Sequence, residues 1–88
     1  MSSEIWFKKI KELFLNKEIS YEEFNVLCGI VVFADKNGLV SLGVNFLKSA
    51  FGLSRGTFLK RINRLKSKEL IIAIEKPRTA TQYQLNLK

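Results

Sequence analysis

Between Ser54 and Lys66 the chain sets Arg55, Lys60, Arg61, Arg64 and Lys66 beside the hydroxyls of Ser54 and Thr57, with no acid among them. Guanidinium forks and ammonium groups at that density are anion-binding chemistry, and a row of phosphates is the anion that engages several at once. Lys48 upstream and Lys76 and Arg78 downstream extend the same chemistry. Other chemistries find little support. The chain has no histidine, so the usual general base near neutral pH is missing. Its acids are not paired as in a catalytic pocket, and neither a Gly-rich phosphate loop nor a metal-ligand spacing occurs. The expectation is a binding protein, not an enzyme, without metal or cofactor.

Charge placement says more than net charge. Residues 1–38 hold five lysines against six acids, a balance of −1, and residues 39–88 hold ten cations against two acids, a balance of +8, for a total of +7. Such asymmetry is the footprint of a face that meets a polyanion. It does not separate DNA from RNA or from an acidic membrane; architecture must do that. Eighty-eight residues, 47% hydrophobic and 26% charged, describe one ordinary globular domain, 1–88. The single cysteine, Cys28, excludes an intramolecular disulfide and reads as a buried structural thiol. No run resembles a signal peptide, and the longest apolar stretch, 26–34, is shorter than the ~20 residues a bilayer span needs. The expected location is the cytoplasm.

The elements that would position the cationic run follow from periodicity. Trp6, Ile10, Leu13 and Phe14 recur at helical spacing, giving a first helix over about 4–15. Ile5, Phe7 and Leu15 widen its apolar surface, which suggests contact with another subunit. Ser20 and Glu23 form a capping-box pattern that opens a second helix. Phe24, Leu27, Cys28 and Val31 continue it to about 34 or 35, and its apolar run marks it as the buried central helix. Lys36-Asn37-Gly38 is a turn, and 39–41 a short strand. Gly43 or Ser41 opens a third helix ending at Phe51-Gly52. Ser54 caps a fourth, 55–67, whose Phe58, Ile62 and Leu65 form an inward stripe. Residues 70–74 and 82–87 read as two strands of a hairpin whose loop holds the only proline. The fold class is therefore α+β, mainly α.

The stretch FGLSRGTFLKRINRLKSKELI, from Phe51 to Ile71, resembles winged helix-turn-helix DNA-binding domains. It matches their run of Gly, apolar, Ser and Arg, then small polar residues and an apolar anchor, with further anchors at the spacings of Ile62 and Leu65. The resemblance covers about residues 20–87 and is strongest from Gly52 to Ile71. It implies a winged helix core with an extra N-terminal helix, 1–18, and a C-terminal β-hairpin wing. Two positions depart from the pattern. Glu69 stands where Gly is usual, which asks for a less tight helix exit. Leu59 stands where a polar DNA-facing residue is usual, which leaves a thymine-methyl contact or a dimer surface.

If Phe58, Ile62 and Leu65 face inward, Arg55, Thr57, Lys60, Arg61 and Arg64 lie on or beside the opposite face. In a helix-turn-helix the second helix enters the major groove and its first residues reach base edges. Arg55 is then the candidate guanine reader. Ser54, Thr57 and the Gly56 backbone meet the DNA at the helix start, where the dipole favours an anion. Lys60, Arg61 and Arg64 are phosphate clamps, with Lys48 and Lys66 at the margin. The resemblance makes Arg78 the wing residue of the minor groove, supported by Lys76. Lys68 and Lys88 read as solvated, as does Lys66 when weighed alone. An RNA reading lacks an aromatic platform, and docking winged helices usually lose the charge this helix keeps.

The implied partner is double-stranded DNA, bound by a homodimer whose interface uses Ile5, Trp6, Phe7, Ile10, Phe14 and part of the second helix. Three jobs stay open: a transcription repressor, a replication-initiation factor, and a centromere-binding adaptor similar to TubR-type winged helices, whose partner is a tubulin-like partition GTPase. The style of sequence favours a small plasmid- or phage-type factor, by analogy of fold.

Overall fold

The computed structural model describes residues 2–41, 43–75 and 81–87. In chain order the elements are α1 (Ser2–Leu15), α2 (Tyr21–Phe33), β1 (Leu39–Val40), α3 (Val44–Ala50), α4 (Arg55–Ser67), β2 (Ile71–Ile74) and β3 (Gln82–Leu85). The strands form one antiparallel sheet in the order β1-β3-β2. Val40 pairs with Tyr83 on one side of β3, and Ile71 with Leu85 on the other. The protein is thus α+β and mainly helical. Among the described residues no helix is long and apolar enough to cross a membrane.

One hydrophobic core joins every layer. Phe58, Ile62 and Leu65 of α4 are buried as their spacing requires, together with Val26, Leu27, Ile30 and Val31 of α2 and Leu47 of α3. The sheet adds Val40, Ile71, Tyr83 and Leu85. Ile10 of α1 is 0% exposed, in the same cluster. Residues 1–18 are therefore no appendage: α1 packs on α2 and completes the core.

Polar and backbone contacts fix how the helices meet. The capping box forms: the Glu23 amide donates to Ser20 Oγ at 3.2 Å, and the Ser20 amide donates to Glu23 Oε1 at 2.7 Å. The same carboxylate, 3% exposed, accepts from Lys68 Nζ at 2.8 Å. Lys68 also donates to the Glu18 carbonyl at 2.9 Å. The residue expected to be merely solvated instead joins the end of α4 to the start of α2. Burial raises the Glu23 pKa, but hydrogen bonds from Lys68 and from the Ser20 amide outweigh it, so the carboxyl titrates below its ordinary value.

Gly29 sits inside α2, where glycine costs about 1 kcal/mol relative to alanine. A Cβ there would lie 2.6 Å from Phe51 Cζ, so the missing side chain is what lets the ring at the end of α3 settle on α2. Phe51 in turn packs on Phe58, ring centroids 5.7 Å apart. Cys28, next to Gly29, is only half-buried, and burial raises its thiol pKa.

Three helices leave by one device. At the ends of α1, α3 and α4 the residue after the cap takes positive φ: Lys17 at 62°, Gly52 at 68° and Glu69 at 61°. In each, that residue's amide and the next one donate back to the last turn. For α4 the bonds are Glu69 to the Lys66 carbonyl at 2.9 Å and Leu70 to the Leu65 carbonyl at 3.0 Å. This is a Schellman motif, and the Leu65–Leu70 pair stands at its usual hydrophobic contact positions. The exit at Glu69 is thus as tight as a glycine would make it. Its carbonyl is held by Asn86 Nδ2 at 2.7 Å.

Two outcomes follow for stability. A side chain in the left-handed region costs about 1–2 kcal/mol, partly offset by the greater freedom glycine gives the unfolded chain. Glu69→Gly therefore raises unfolding stability by about 0.5–1 kcal/mol, read from urea denaturation. Removing the ammonium partner by Lys68→Met lowers stability at neutral pH by about 1–2 kcal/mol, discounted because the lysine is partly exposed. Since the Glu23 pKa is lowered on folding, its contribution is fully present above the unfolded value of 4.5 and is lost as pH falls through the folded value. The melting temperature therefore drops on acidification below 4.5, and Glu23→Gln shows a shallower drop.

Candidate nucleic-acid interface

The fourth helix starts at Ser54, whose Oγ accepts from the Thr57 amide at 3.2 Å and donates to Thr57 Oγ1 at 2.9 Å. The cap thus occupies the Ser54 hydroxyl that was expected to meet the DNA. Thr57, whose hydroxyl accepts that bond, keeps its own proton to donate outward. The amides of Arg55 and Gly56 precede the first intrahelical partners, so they remain free donors at the positive end of the helix. A Cβ built on Gly56 meets nothing within 4 Å, so this end is open to an approaching group. No acid lies in the first turn, and Arg64 and Lys66 occupy the last.

Which side chains look outward follows from the buried stripe. Positions at 100° steps place Gly56, Lys60 and Ser67 opposite Phe58, Ile62 and Leu65, with Asn63 about 50° to one side, and all four are exposed. Thr57 and Arg64 flank them and are exposed too. Asn63 is the residue the charge-based reading passed over. It bears no charge, but it lies one turn beyond Lys60 on the outer face. Its amide can donate and accept at once, the pairing used on adenine. The same 3.6-residue period that found the core stripe would have found it.

Three expected groups sit off that face. Arg55, three residues before buried Phe58, lies on the flank, where its Nη1 donates to Asn45 Oδ1 of α3 at 3.3 Å. Its charge also reaches β3: burial raises the Tyr83 pKa, and Arg55 partly counters it. Arg61 is half-buried on the opposite flank, in a cleft of about 250 Å³ with Asn25, Val26, Phe51 and Leu53. Lys48, on α3, is half-buried, and Lys66 is exposed. Lys76 and Arg78 lie outside the described residues.

Leu59 finds its explanation in packing. It is partly buried against the core, since α4 packs on α2, α3 and β2 and its apolar side is broader than three residues. The dimer residues divide in the same way. Ile10 is enclosed by its own chain. Trp6 covers the turn at Gly38, where φ is 81° and a Cβ would come within 2.9 Å of the indole Cζ2. Phe14 leans on Phe24 with ring centroids 4.8 Å apart. Only Ile5 and Phe7 of the five remain exposed.

The arrangement can do one thing chemically: present a rigid, acid-free row of donors on a convex helix of about 20 Å. Among the described residues no group of three or more His, Cys, Asp or Glu side chains is placed to hold a metal ion. Comparison with protein-family models, with curated proteins and with solved structures finds no match for this chain.

Proposed function

We propose that the protein is a winged helix-turn-helix factor that binds double-stranded DNA, with α4 in the major groove and the β2–β3 hairpin as the wing. The observation that carries the reading is the outer face of α4. Lys60, Asn63, Arg64 and Thr57 stand together on it, free of acids, and the buried stripe beneath holds the helix rigid. Such a helix fits a groove about 12 Å wide. In this reading Lys60 and Arg64 hold phosphates, Asn63 and Thr57 face base edges, and Arg55 exchanges its bond to Asn45 for a base or a phosphate. Arg61, sunk beside Asn25, reaches the backbone at the groove edge.

The chain works on DNA in the cytoplasm as a binding protein, not as an enzyme. Its job is that of a small plasmid- or phage-type factor, a repressor or a centromere-binding adaptor beside a tubulin-like GTPase, with replication initiation as the next reading. The confinement of net positive charge to residues 39–88 supports all three equally.

Fluorescence anisotropy on labelled duplexes tests the reading. The logarithm of the affinity falls linearly with the logarithm of salt concentration, and Lys60→Ala or Arg64→Ala each reduces the slope by about 1 while weakening all duplexes alike. Asn63→Ala and Arg55→Ala lose about 1–3 kcal/mol on the preferred sequence and little on random DNA. An affinity indifferent to salt, or to Lys60→Ala and Arg64→Ala together, removes DNA as the partner of this face.

A further inference from the structure

A second surface lies on the near-neutral half of the chain. Among the described residues, five of the seven large apolar side chains that stand exposed are on α1 and α2: Ile5, Phe7, Leu15, Tyr21 and Val32. Tyr21 and Val32 are 65% and 69% exposed. Phe7, Tyr21 and Val32 share one surface with the partly buried Phe14, Phe24 and Cys28, whereas Ile5 lies about 160° around α1 from Phe7. Along α2, Tyr21, Phe24, Cys28 and Val32 follow one another at steps of three, four and four residues, which is a single helical stripe beside the buried one. Along α1, Phe7 and Phe14 are seven residues apart, two turns on one side. The Phe14 ring meets both Phe24 and Tyr21, so the two stripes lie edge to edge where the helices join. A continuous apolar band along two packed helices exceeds what a small domain leaves in water without a partner.

We infer that this band is the interface of a symmetric homodimer, two copies meeting through α1 and α2 as a four-helix layer. Charge selects a second copy over other occupants. The half of the chain that bears the band carries −1, so two such faces approach without the repulsion that two +8 halves would meet. The flanks are self-complementary as well. Exposed Lys11 stands one turn from both Phe7 and Phe14 on α1, and exposed Glu22 follows Tyr21 in the first turn of α2. A two-fold axis that lays α1 of one copy against α2 of the other brings Lys11 of each toward Glu22 of its partner. An acidic polymer or membrane surface would find no net attraction here. Of the five α1 residues expected, Phe7 and Phe14 stay, Ile10 and Trp6 are taken up by the chain's own fold and Ile5 lies off the band, while Tyr21, Phe24, Cys28 and Val32 specify the expected part of the second helix.

The inference does not depend on the DNA reading, and its test uses no DNA. Sedimentation equilibrium of the full chain at micromolar concentration gives twice the 10.1 kDa chain mass. Val32→Glu and Tyr21→Glu each bring the mass down to one chain with the melting curve still cooperative, because both side chains are already largely in water. Phe46→Glu, also exposed but on α3, leaves the dimer intact. A monomer at every concentration overturns the inference, and the band then serves some other partner. A dimer that survives both Val32→Glu and Tyr21→Glu overturns it equally, since the copies then meet elsewhere.

Discussion

The orientation of α4 against α2 is the constraint on which the rest of the structure depends, and two unlike contacts set it. At one end Lys68, the cap of α4, reaches Glu23 in the first turn of α2. At the other, Phe51, just before α4 begins, settles where Gly29 leaves the α2 surface bare. The helices therefore run in roughly opposite directions, with Phe58, Ile62 and Leu65 filling the span between the two fixed points. The apolar stripe supplies most of the free energy but tolerates sliding. The ion pair and the ring-on-glycine contact do not, since each works in only one register.

Glu23 shows how closely local and distant order are linked. Its Oε1 serves the capping box and the lysine together, while Oε2 is buried with no hydrogen-bond partner among the described residues. A half-satisfied buried carboxylate is costly, and it persists because the two bonds at Oε1 are charge-assisted. Starting α2 and ending α4 thus become one event. The Schellman exits act in the same sense. Each turns the chain sharply within two residues, and at Lys17 and Glu69 it does so against the backbone preference of the residue present. Tertiary packing on either side, with Leu70 leading directly into β2 and Glu18 receiving Lys68, outweighs that local cost.

Much of this was legible in the sequence, wherever one element's own chemistry decided it. The capping box at Ser20, the limits of α4, the turn at Gly38 and the inward Tyr83 and Leu85 of β3 all follow from spacing within a few residues. What was not legible depends on residues far apart in the chain. Nothing near Lys68 announces a carboxylate forty-five positions earlier. Nothing near Gly29 announces the ring of Phe51. Leu59 looked like an anomaly on a cationic helix because the sequence does not say how far the core reaches around α4. Asn63 is the opposite case: its placement was decided by periodicity alone, and attention to charge drew the eye past it.

Separation of surfaces is the last consequence of the α2–α4 arrangement. Because α2 is held between α1 on one side and α4 on another, a helix buried on two sides still leaves one edge free, and that edge continues the apolar surface of α1. The outer face of α4 points away from the core on its own side, so the cationic row and the apolar band are carried by different helices. Lys68 lies where the two regions approach each other, and there its charge is already satisfied by Glu23. One ion pair, placed for the fold, therefore also stands between the cationic face of α4 and the apolar band of α1 and α2.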